Sequence, residues 1–283
     1  TLCRDFVAPE LIGLTIVYSI NMAGLFQYMV RNSVLVESFM TSFERLHHYE
    51  ALPREADEGQ HEPSGEFPRE ARIDVQDVHM RYRSDLPLVL KGLTFSLAGG
   101  SKVGVCGRTG SGKSSLFMAL ARLAEVTSGT LRIDGLDAAS LSLSRLRRCI
   151  SWVPQEPSFF TGSLRFNLDP HRTYADDTLW KTMKSVQMDE QMGDEGLELQ
   201  ISDGGSRFSC GERQLLSLAR ALLQHRRILC MDEAFANVDF ETDNRVQAAV
   251  REMTSQVAAT VLVIAHRMQT LADSDYILVM EDG

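Results

Sequence analysis

The chain has 283 residues, of which 44% are hydrophobic and 24% charged, and this composition excludes disordered and collagen-like proteins. Its formal net charge of −9 argues against a general nucleic-acid-binding protein, which needs a basic surface. The five cysteines are odd in number and lack C-x-x-C spacing, so we expect a reducing compartment and no structural zinc. Because the chain starts at Thr1 and ends directly after a strand-like run, we expect it to be a fragment of a longer polypeptide.

An uncharged run of twenty residues, 11–30, lies near the start of the chain. A helix of that length spans about 30 Å, the thickness of the hydrocarbon core of a bilayer. The run therefore predicts a membrane span, although Asn21 and Gln27 also allow a buried helix of a soluble protein. Apolar residues continue at helical spacing over residues 31–49, which predicts that the same helix runs on. The basic residues Arg31, Arg45, His47 and His48 would mark this extension as the cytoplasmic end.

Residues 50–70 contain three prolines, seven acidic side chains and almost no large apolar ones, so we interpret them as a linker. A domain over residues 71–283 is predicted to follow, with short β-like runs first and then strands that alternate with helices. Alternation of this kind indicates an α/β fold with a mainly parallel sheet covered by helices. The expected elements are strands at 73–82, 89–97, 102–106, 150–153, 228–232, 261–265 and 276–280, and helices from Lys113 and Ser209.

The most specific local motif is a glycine-rich segment that follows an apolar strand and opens a helix, as a phosphate-binding loop requires. Its glycines allow the backbone to wrap a phosphate, and its amide groups point inward at a helix N-terminus. Lys113 would reach the β- and γ-phosphates, and the hydroxyl of Ser114 would bind Mg²⁺. The residues expected to contact the phosphates are Gly107, Arg108, Thr109, Gly110, Ser111, Gly112, Lys113, Ser114 and Ser115.

A second apolar strand, 228–232, ends in the two carboxylates Asp232 and Glu233. Taken alone, the pair suits a buried strand followed by a helix-capping acid. With a phosphate loop upstream, we instead expect Asp232 to hold the Mg²⁺ shell and Glu233 to orient or deprotonate the attacking water.

Between these motifs lies Phe208-Ser209-Cys210-Gly211-Glu212, which opens an apolar helix. Together with the loop and the strand it resembles the nucleotide-binding domain of ABC transporters, whose signature is usually written LSGGQ. The other motifs of the family follow in the expected order over residues 71–283. They are Tyr82 for adenine stacking, Gln155 as the Q-loop glutamine and Mg²⁺ ligand, Asp239 in the D-loop and His266 as the switch histidine.

Each of these residues also has a local explanation. Tyr82 suits packing at a strand end, Gln155 suits turn chemistry beside prolines, and His266 suits a hydrogen-bonded strand boundary. Ser209 and Glu212 fit a capping box, which would leave a helix N-terminus able to face a phosphate.

The sequence segments around these motifs are similar to the second nucleotide-binding domain of the multidrug resistance-associated (C) subfamily. The uncharged run before them is similar to the last transmembrane helix of the second membrane domain in that subfamily. The resemblance implies a P-loop domain with an antiparallel β subdomain, a parallel α/β core and a helical subdomain at about 156–223. It also implies an integral membrane protein with a cytoplasmic ATPase domain that uses ATP and Mg²⁺. The implied partners are the bilayer, the transmembrane domains and the first nucleotide-binding domain of the same polypeptide, with no nucleic acid.

Family members sandwich ATP between the phosphate loop of one domain and the signature of the other. The phosphate loop, Asp232, Glu233 and His266 are intact, so we expect the site that they form to hydrolyse ATP. In the signature, Glu212 stands at the usual glutamine, and its carboxylate would repel the γ-phosphate of the other site. We therefore expect that second site to bind nucleotide with poor turnover, where Ser209 and Gly211 would also contact it.

The resemblance implies an exporter of organic anions or of thiol and glutathione conjugates. A gated channel or channel regulator of the same subfamily is an alternative, because we expect the permeation path to lie outside this fragment. A soluble ABC-type ATPase of DNA repair or translation is a further alternative, against which both the uncharged run and the acidic charge count.

Overall fold

The computed structural model describes residues 9–52, 55, 63, 65–205, 207–232, 240–265 and 271–283. The backbone contacts divide the chain into two units, residues 1–56 and 57–283. Most of residues 53–64, in the predicted linker, lie outside the described residues.

In the first unit, the described residues form helix α1 (Pro9–Glu50), which covers both the uncharged run and its predicted extension. Its apolar side chains are exposed along the whole length, from Leu11 to Tyr49. By length and composition this helix could cross a membrane, because its mean hydropathy over the span window is 1.3 and none of that window is buried.

The second unit is built on two main sheets. Its strands are β1 (Ile73–Met80), β2 (Leu90–Leu97), β3 (Lys102–Gly107), β4 (Val126–Ile133), β5 (Leu136–Asp137), β6 (Ile150–Val153), β7 (Gly162–Ser163), β8 (Gln200–Ile201), β9 (Ile228–Asp232), β10 (Thr260–Ile264) and β11 (Tyr276–Met280). Its helices are α2 (Lys113–Leu120), α3 (Leu143–Arg148), α4 (Leu164–Leu168), α5 (Asp176–Ser185), α6 (Cys210–Leu223) and α7 (Phe240–Val257), with 3₁₀ turns at Glu190–Glu198 and Asp203–Gly205.

The central sheet is parallel in the order β11-β3-β10-β9-β6, and an antiparallel sheet has the order β2-β1-β4-β5. A two-stranded ribbon pairs β7 with β8. This confirms the predicted α/β class, with an antiparallel β sheet, a parallel core and helices. The seven predicted strands are all present, with ends that differ by at most two residues.

Successive side chains of the central strands point to opposite faces of the sheet, so the core is divided into two clusters. Leu229 and Met231 pack on one face with α5, α6 and α7, whereas Ile228 and Cys230 pack on the other with α2 and the antiparallel sheet. Because both faces are covered, these strands are almost continuously apolar, as a parallel sheet requires. This burial fixes the register of β9, and so the place where Asp232 leaves the sheet.

Residues 65–72 contact the α/β unit closely. The carboxylate of Asp134 accepts hydrogen bonds from the backbone N–H groups of Arg69, Glu70 and Arg72 at 2.6, 3.1 and 2.8 Å. The hydroxyl of Thr260 donates to the carbonyl of Ala71 at 2.8 Å. The chain therefore enters β1 along a fixed path.

Candidate nucleotide-binding site

The topology of the central sheet brings the predicted motifs to one edge. In the register of the sheet, Ile264 of β10 lies between Val105 of β3 and Asp232 of β9. On the other side of β9, Val153 of β6 pairs with Met231. The strands run parallel, so the phosphate loop after β3, Asp232 at the end of β9 and Gln155 two residues after β6 all lie at their carboxyl ends, where open α/β sheets bind ligands.

The phosphate loop leads from β3 into α2 and depends on glycine. Gly107, Gly110 and Gly112 have φ angles of 153°, 85° and 97°, a region that other residues rarely adopt. A Cβ on Gly107 would lie 2.2 Å from the carbonyl oxygen of Met280 in β11, so the loop passes directly against that strand. Gly112 is the N-cap of α2, and the loop therefore ends at a helix N-terminus.

Lys113 and Ser111 supply buried polar groups inside this loop, whereas Arg108, Thr109 and Gly110 form its exposed tip. Lys113 is 6% exposed, and its ammonium donates to the carbonyl oxygens of Gly107 and Arg108, at 3.0 Å each. Ser111 is 4% exposed, and within the described part of the chain its hydroxyl has no hydrogen-bond partner. The loop thus holds a cation and a free hydroxyl in a sheltered place.

Two hydrogen bonds join distant motifs to the first turn of α2. The hydroxyl of Ser114 donates to Oδ1 of Asp232 at 3.1 Å, across 118 residues of sequence. The hydroxyls of Tyr82 and Ser115 lie 2.8 Å apart and form a hydrogen bond, while the Tyr82 residue is 52% exposed. The tyrosine ring is therefore anchored beside the phosphate loop with much of its surface free.

Burial also affects Cys230, which lies two residues before Asp232. The pKa of its thiol is raised, chiefly by burial and to a smaller extent by the charge of Asp232. This cysteine remains a neutral core side chain and leaves Asp232 as the ionisable group at the end of β9.

The signature segment lies at the start of α6, where Ser209 is the N-cap. Its hydroxyl accepts from the N–H of Glu212 at 3.2 Å, and Oε2 of Glu212 accepts from the N–H of Ser209 at 2.7 Å. Both halves of the predicted capping box are thus present. These bonds stay within the turn and do not join the signature to the phosphate loop of the same chain, and Gly211 is half-buried beside them.

Three of the predicted residues, Glu233, Asp239 and His266, lie outside the described residues. Gln155 is described and lies at the expected edge of the sheet. The sequence interpretation did not find that Ser115 anchors Tyr82, or that the Met280 carbonyl limits the residue at position 107. The spacing of the motifs carries no signal for either contact.

Known proteins are similar to this chain in sequence and in fold. A family model described as ABC transporter matches residues 90–236. The mouse protein ATP-binding cassette sub-family C member 4 is 44% identical over 96% of this chain and 20% of its own length. The human sub-family C member 3 is 40% identical over 99% of this chain and 18% of its own length. The chain thus spans about a fifth of the length of these relatives.

The chain belongs to the ABC transporter family. A solved structure described as a bacterial Atm1-family ABC exporter with ATP bound has a TM-score of 0.80 to this chain and 27% sequence identity, and the match covers 88% of this chain and 43% of that one. Residues 90–236 therefore lie in an ABC transporter ATPase domain, a kind of domain that binds and hydrolyses ATP. Proteins of this family are membrane proteins with a cytoplasmic ATPase domain, in agreement with the candidate span in α1.

The close passage of the ABC phosphate loop against β11 gives a first prediction. Gly107→Ala should lower stability by about 3 kcal/mol, because the new Cβ clashes with the Met280 carbonyl and forces the strand to move. Gly110→Ala is the matched control, because Gly110 also has a positive φ, but no atom of the part of the chain that the structure describes lies within 4 Å of a Cβ there. This substitution should cost only about 1 kcal/mol. Thermal unfolding of the purified chain in detergent measures both. Equal shifts in the two variants would contradict this contact.

Proposed function

We propose that this chain is the ATP-hydrolysing C-terminal part of an ABC exporter, with residues 1–49 as the end of the transmembrane domain. Residues 50–70 are then the acidic linker, and residues 71–283 the nucleotide-binding domain with a helical subdomain at about 156–223. The observation that carries the proposal is the bond from Ser114 to Asp232, which joins the phosphate loop to the predicted Mg²⁺ ligand in a chain of this family.

The residues present suit ATP. The unpartnered hydroxyl of Ser111 and the ammonium of Lys113 offer donors to phosphate oxygens within the loop. Among the described residues, no atom lies within 4 Å of the position that a Cβ on Gly110 would take, which leaves room at the loop tip for an anion. The exposed ring of Tyr82 offers a stacking surface for adenine next to the same loop.

The donor set also suits Mg²⁺, which prefers oxygen ligands and keeps several waters. Ser114, Gln155 and Asp232 would hold it through a hydroxyl, an amide oxygen and a carboxylate. When bound, the ion neutralises charge on the β- and γ-phosphates. Lys113 then stabilises the same charge, Glu233 positions the attacking water and accepts its proton, and His266 contacts the γ-phosphate.

The signature would serve a second site that forms with the first nucleotide-binding domain of the same polypeptide. Oε2 of Glu212 accepts the Ser209 N–H, so a carboxylate occupies the positive end of α6. A γ-phosphate from the partner domain would meet this negative charge at the helix N-terminus. Ser209, Gly211 and Glu212 would then contact a nucleotide that is held without efficient turnover, and Asp239 would lie at the interface.

A change at the proposed base tests the hydrolytic site. Glu233→Gln should reduce steady-state ATPase activity by about 10²-fold to 10⁴-fold while leaving ATP binding intact, because the amide cannot accept the proton of water. ATPase activity and binding of a fluorescent ATP analogue, both measured on the membrane-embedded polypeptide, check this. The exposed acid Glu125 provides the control Glu125→Gln, and normal turnover in Glu233→Gln would overturn the assignment.

The same variants decide between transport and channel function. Loss of ATP-dependent uptake of an organic anion or glutathione conjugate into inverted vesicles, in step with the loss of ATPase activity, supports an exporter. ATP-dependent single-channel currents without uptake would instead identify a gated channel of the subfamily.

The charge at the signature gives a separate prediction. Glu212→Gln keeps an oxygen that can accept the Ser209 N–H but removes the negative charge from the helix N-terminus. We expect nucleotide turnover at the partner-facing site to rise, as judged by photolabelling each domain with an azido-ATP analogue and following the conversion of bound ATP to ADP. Unchanged occupancy and turnover at that site would remove the basis of the proposed asymmetry.

A further inference from the structure

Arg220 lies on α6, the helix that starts at the signature, and its guanidinium leaves the helix to contact another segment. It donates from Nε to the carbonyl of Asn167 at 2.6 Å, from Nη1 to the carbonyl of Ser158 at 2.6 Å, and from Nη2 to Oδ1 of Asn167 at 2.8 Å. Its central carbon also lies 4.3 Å from the ring centroid of Phe159. One side chain thus contacts two parts of the segment 158–167.

The side chain of Asn167 makes further hydrogen bonds within the same segment. It accepts from the N–H of Phe160 at 2.9 Å and donates to the carbonyls of Phe160 at 2.8 Å and Ser163 at 3.1 Å. The amide therefore holds the main chain of Phe160 on both sides, much as a neighbouring strand would. Because Asn167 is 3% exposed, these bonds are sheltered from water. Arg220 and Asn167 together fix residues 158, 159 and 160 against α6.

The charge and the partners of Arg220 indicate that it fixes the position of the segment that it contacts. Burial lowers the pKa of its guanidinium to about 10, so it stays charged near neutral pH. The partners described for it are carbonyl and amide oxygens and an aromatic face, and none of those described is a carboxylate. The planar fork of an arginine can reach all of them at once, whereas a lysine cannot.

The location of this contact connects two elements that the ATPase uses. Residue 158 comes three positions after Gln155, and α6 carries Ser209 at its start. We propose that Arg220 is a positioning residue that holds the segment after Gln155 and the signature helix as one body. A movement of Gln155, the proposed magnesium ligand of the hydrolytic site, is thereby passed to the signature, which serves the other ATP site. This inference rests on the proposed roles of Gln155 and of the signature.

Arg220→Lys tests the link, with Arg226→Lys as its matched control. Arg226 is also an arginine whose pKa is lowered by burial. It donates to the carbonyls of Arg147 in α3 and Ile150 at the start of β6, at 2.6 and 3.4 Å, whereas Gln155 follows the other end of that strand. In the membrane-embedded polypeptide we measure ATPase activity against Mg²⁺ concentration, together with the thermal midpoint. Arg220→Lys should raise the Mg²⁺ concentration for half-maximal activity by about fivefold, an effect of about 1 kcal/mol. Arg226→Lys should lower only the thermal midpoint.

A second variant keeps the test independent of the folding of Arg220→Lys. Asn167→Ala should raise the same Mg²⁺ concentration, and the double variant should raise it no further than the larger single change, because both residues act through one contact. If Arg220→Lys and Asn167→Ala alter stability in the manner of Arg226→Lys and leave the Mg²⁺ dependence unchanged, the linking role is wrong.

A separate variant distinguishes this failure from a failure of the proposed function. Gln155→Ala should raise the Mg²⁺ requirement by itself. If it does so while Arg220→Lys has no effect, only the positioning role fails. If Gln155→Ala has no effect, the proposed magnesium ligand is wrong and the link loses its target.

Discussion

The hydrogen bond between Ser114 and Asp232 is the contact on which the proposed function depends. It joins the first turn of α2 to the end of β9, and it requires that β3, β10 and β9 keep their parallel register. That register is set by apolar residues buried on both faces of the sheet, such as Ile228 and Leu229. The core therefore does more than stabilise the fold, because it brings two segments far apart in sequence to within hydrogen-bond distance.

The elements next to the site could be predicted because their signals are local. A glycine-rich loop after an apolar strand specifies a phosphate loop, since only glycine tolerates the backbone angles of Gly107 and Gly112. Ser209 and Glu212, three residues apart ahead of an apolar helix, specify a capping box in the same way. Family resemblance then assigned roles that the spacing of residues alone left open, as for Tyr82 and Gln155.

Contacts between elements could not be predicted in this way. The bond from Tyr82 to Ser115 and the bonds from Arg220 to Ser158 and Asn167 join residues 33, 62 and 53 positions apart. No periodicity or motif relates such positions, and each contact exists only after the sheets and helices have packed. Arg220 illustrates the difference, because an arginine on an amphipathic helix is most simply read as a solvated side chain.

The capping box gives a physical reason for a glutamate at position 212 of the signature. Glu212 stabilises the start of α6 through the Ser209 N–H, and its charge suits the positive end of the helix. In the second site that we propose, the same charge would make that helix end a poor receptor for a phosphate. Local stability and phosphate binding therefore compete at one side chain, whereas at the phosphate loop Ser111 and Lys113 leave donors available.

The central claim is that Ser114 and Asp232 hold one divalent ion with ATP, and manganese in place of magnesium tests it most directly. Electron paramagnetic resonance of Mn²⁺ titrated into the chain with ATP should detect one ATP-dependent site. Ser114→Ala and Asp232→Asn should each weaken that site by about tenfold or more, whereas the exposed control Ser140→Ala should not. Undiminished ATP-dependent Mn²⁺ binding in both variants would contradict the claim.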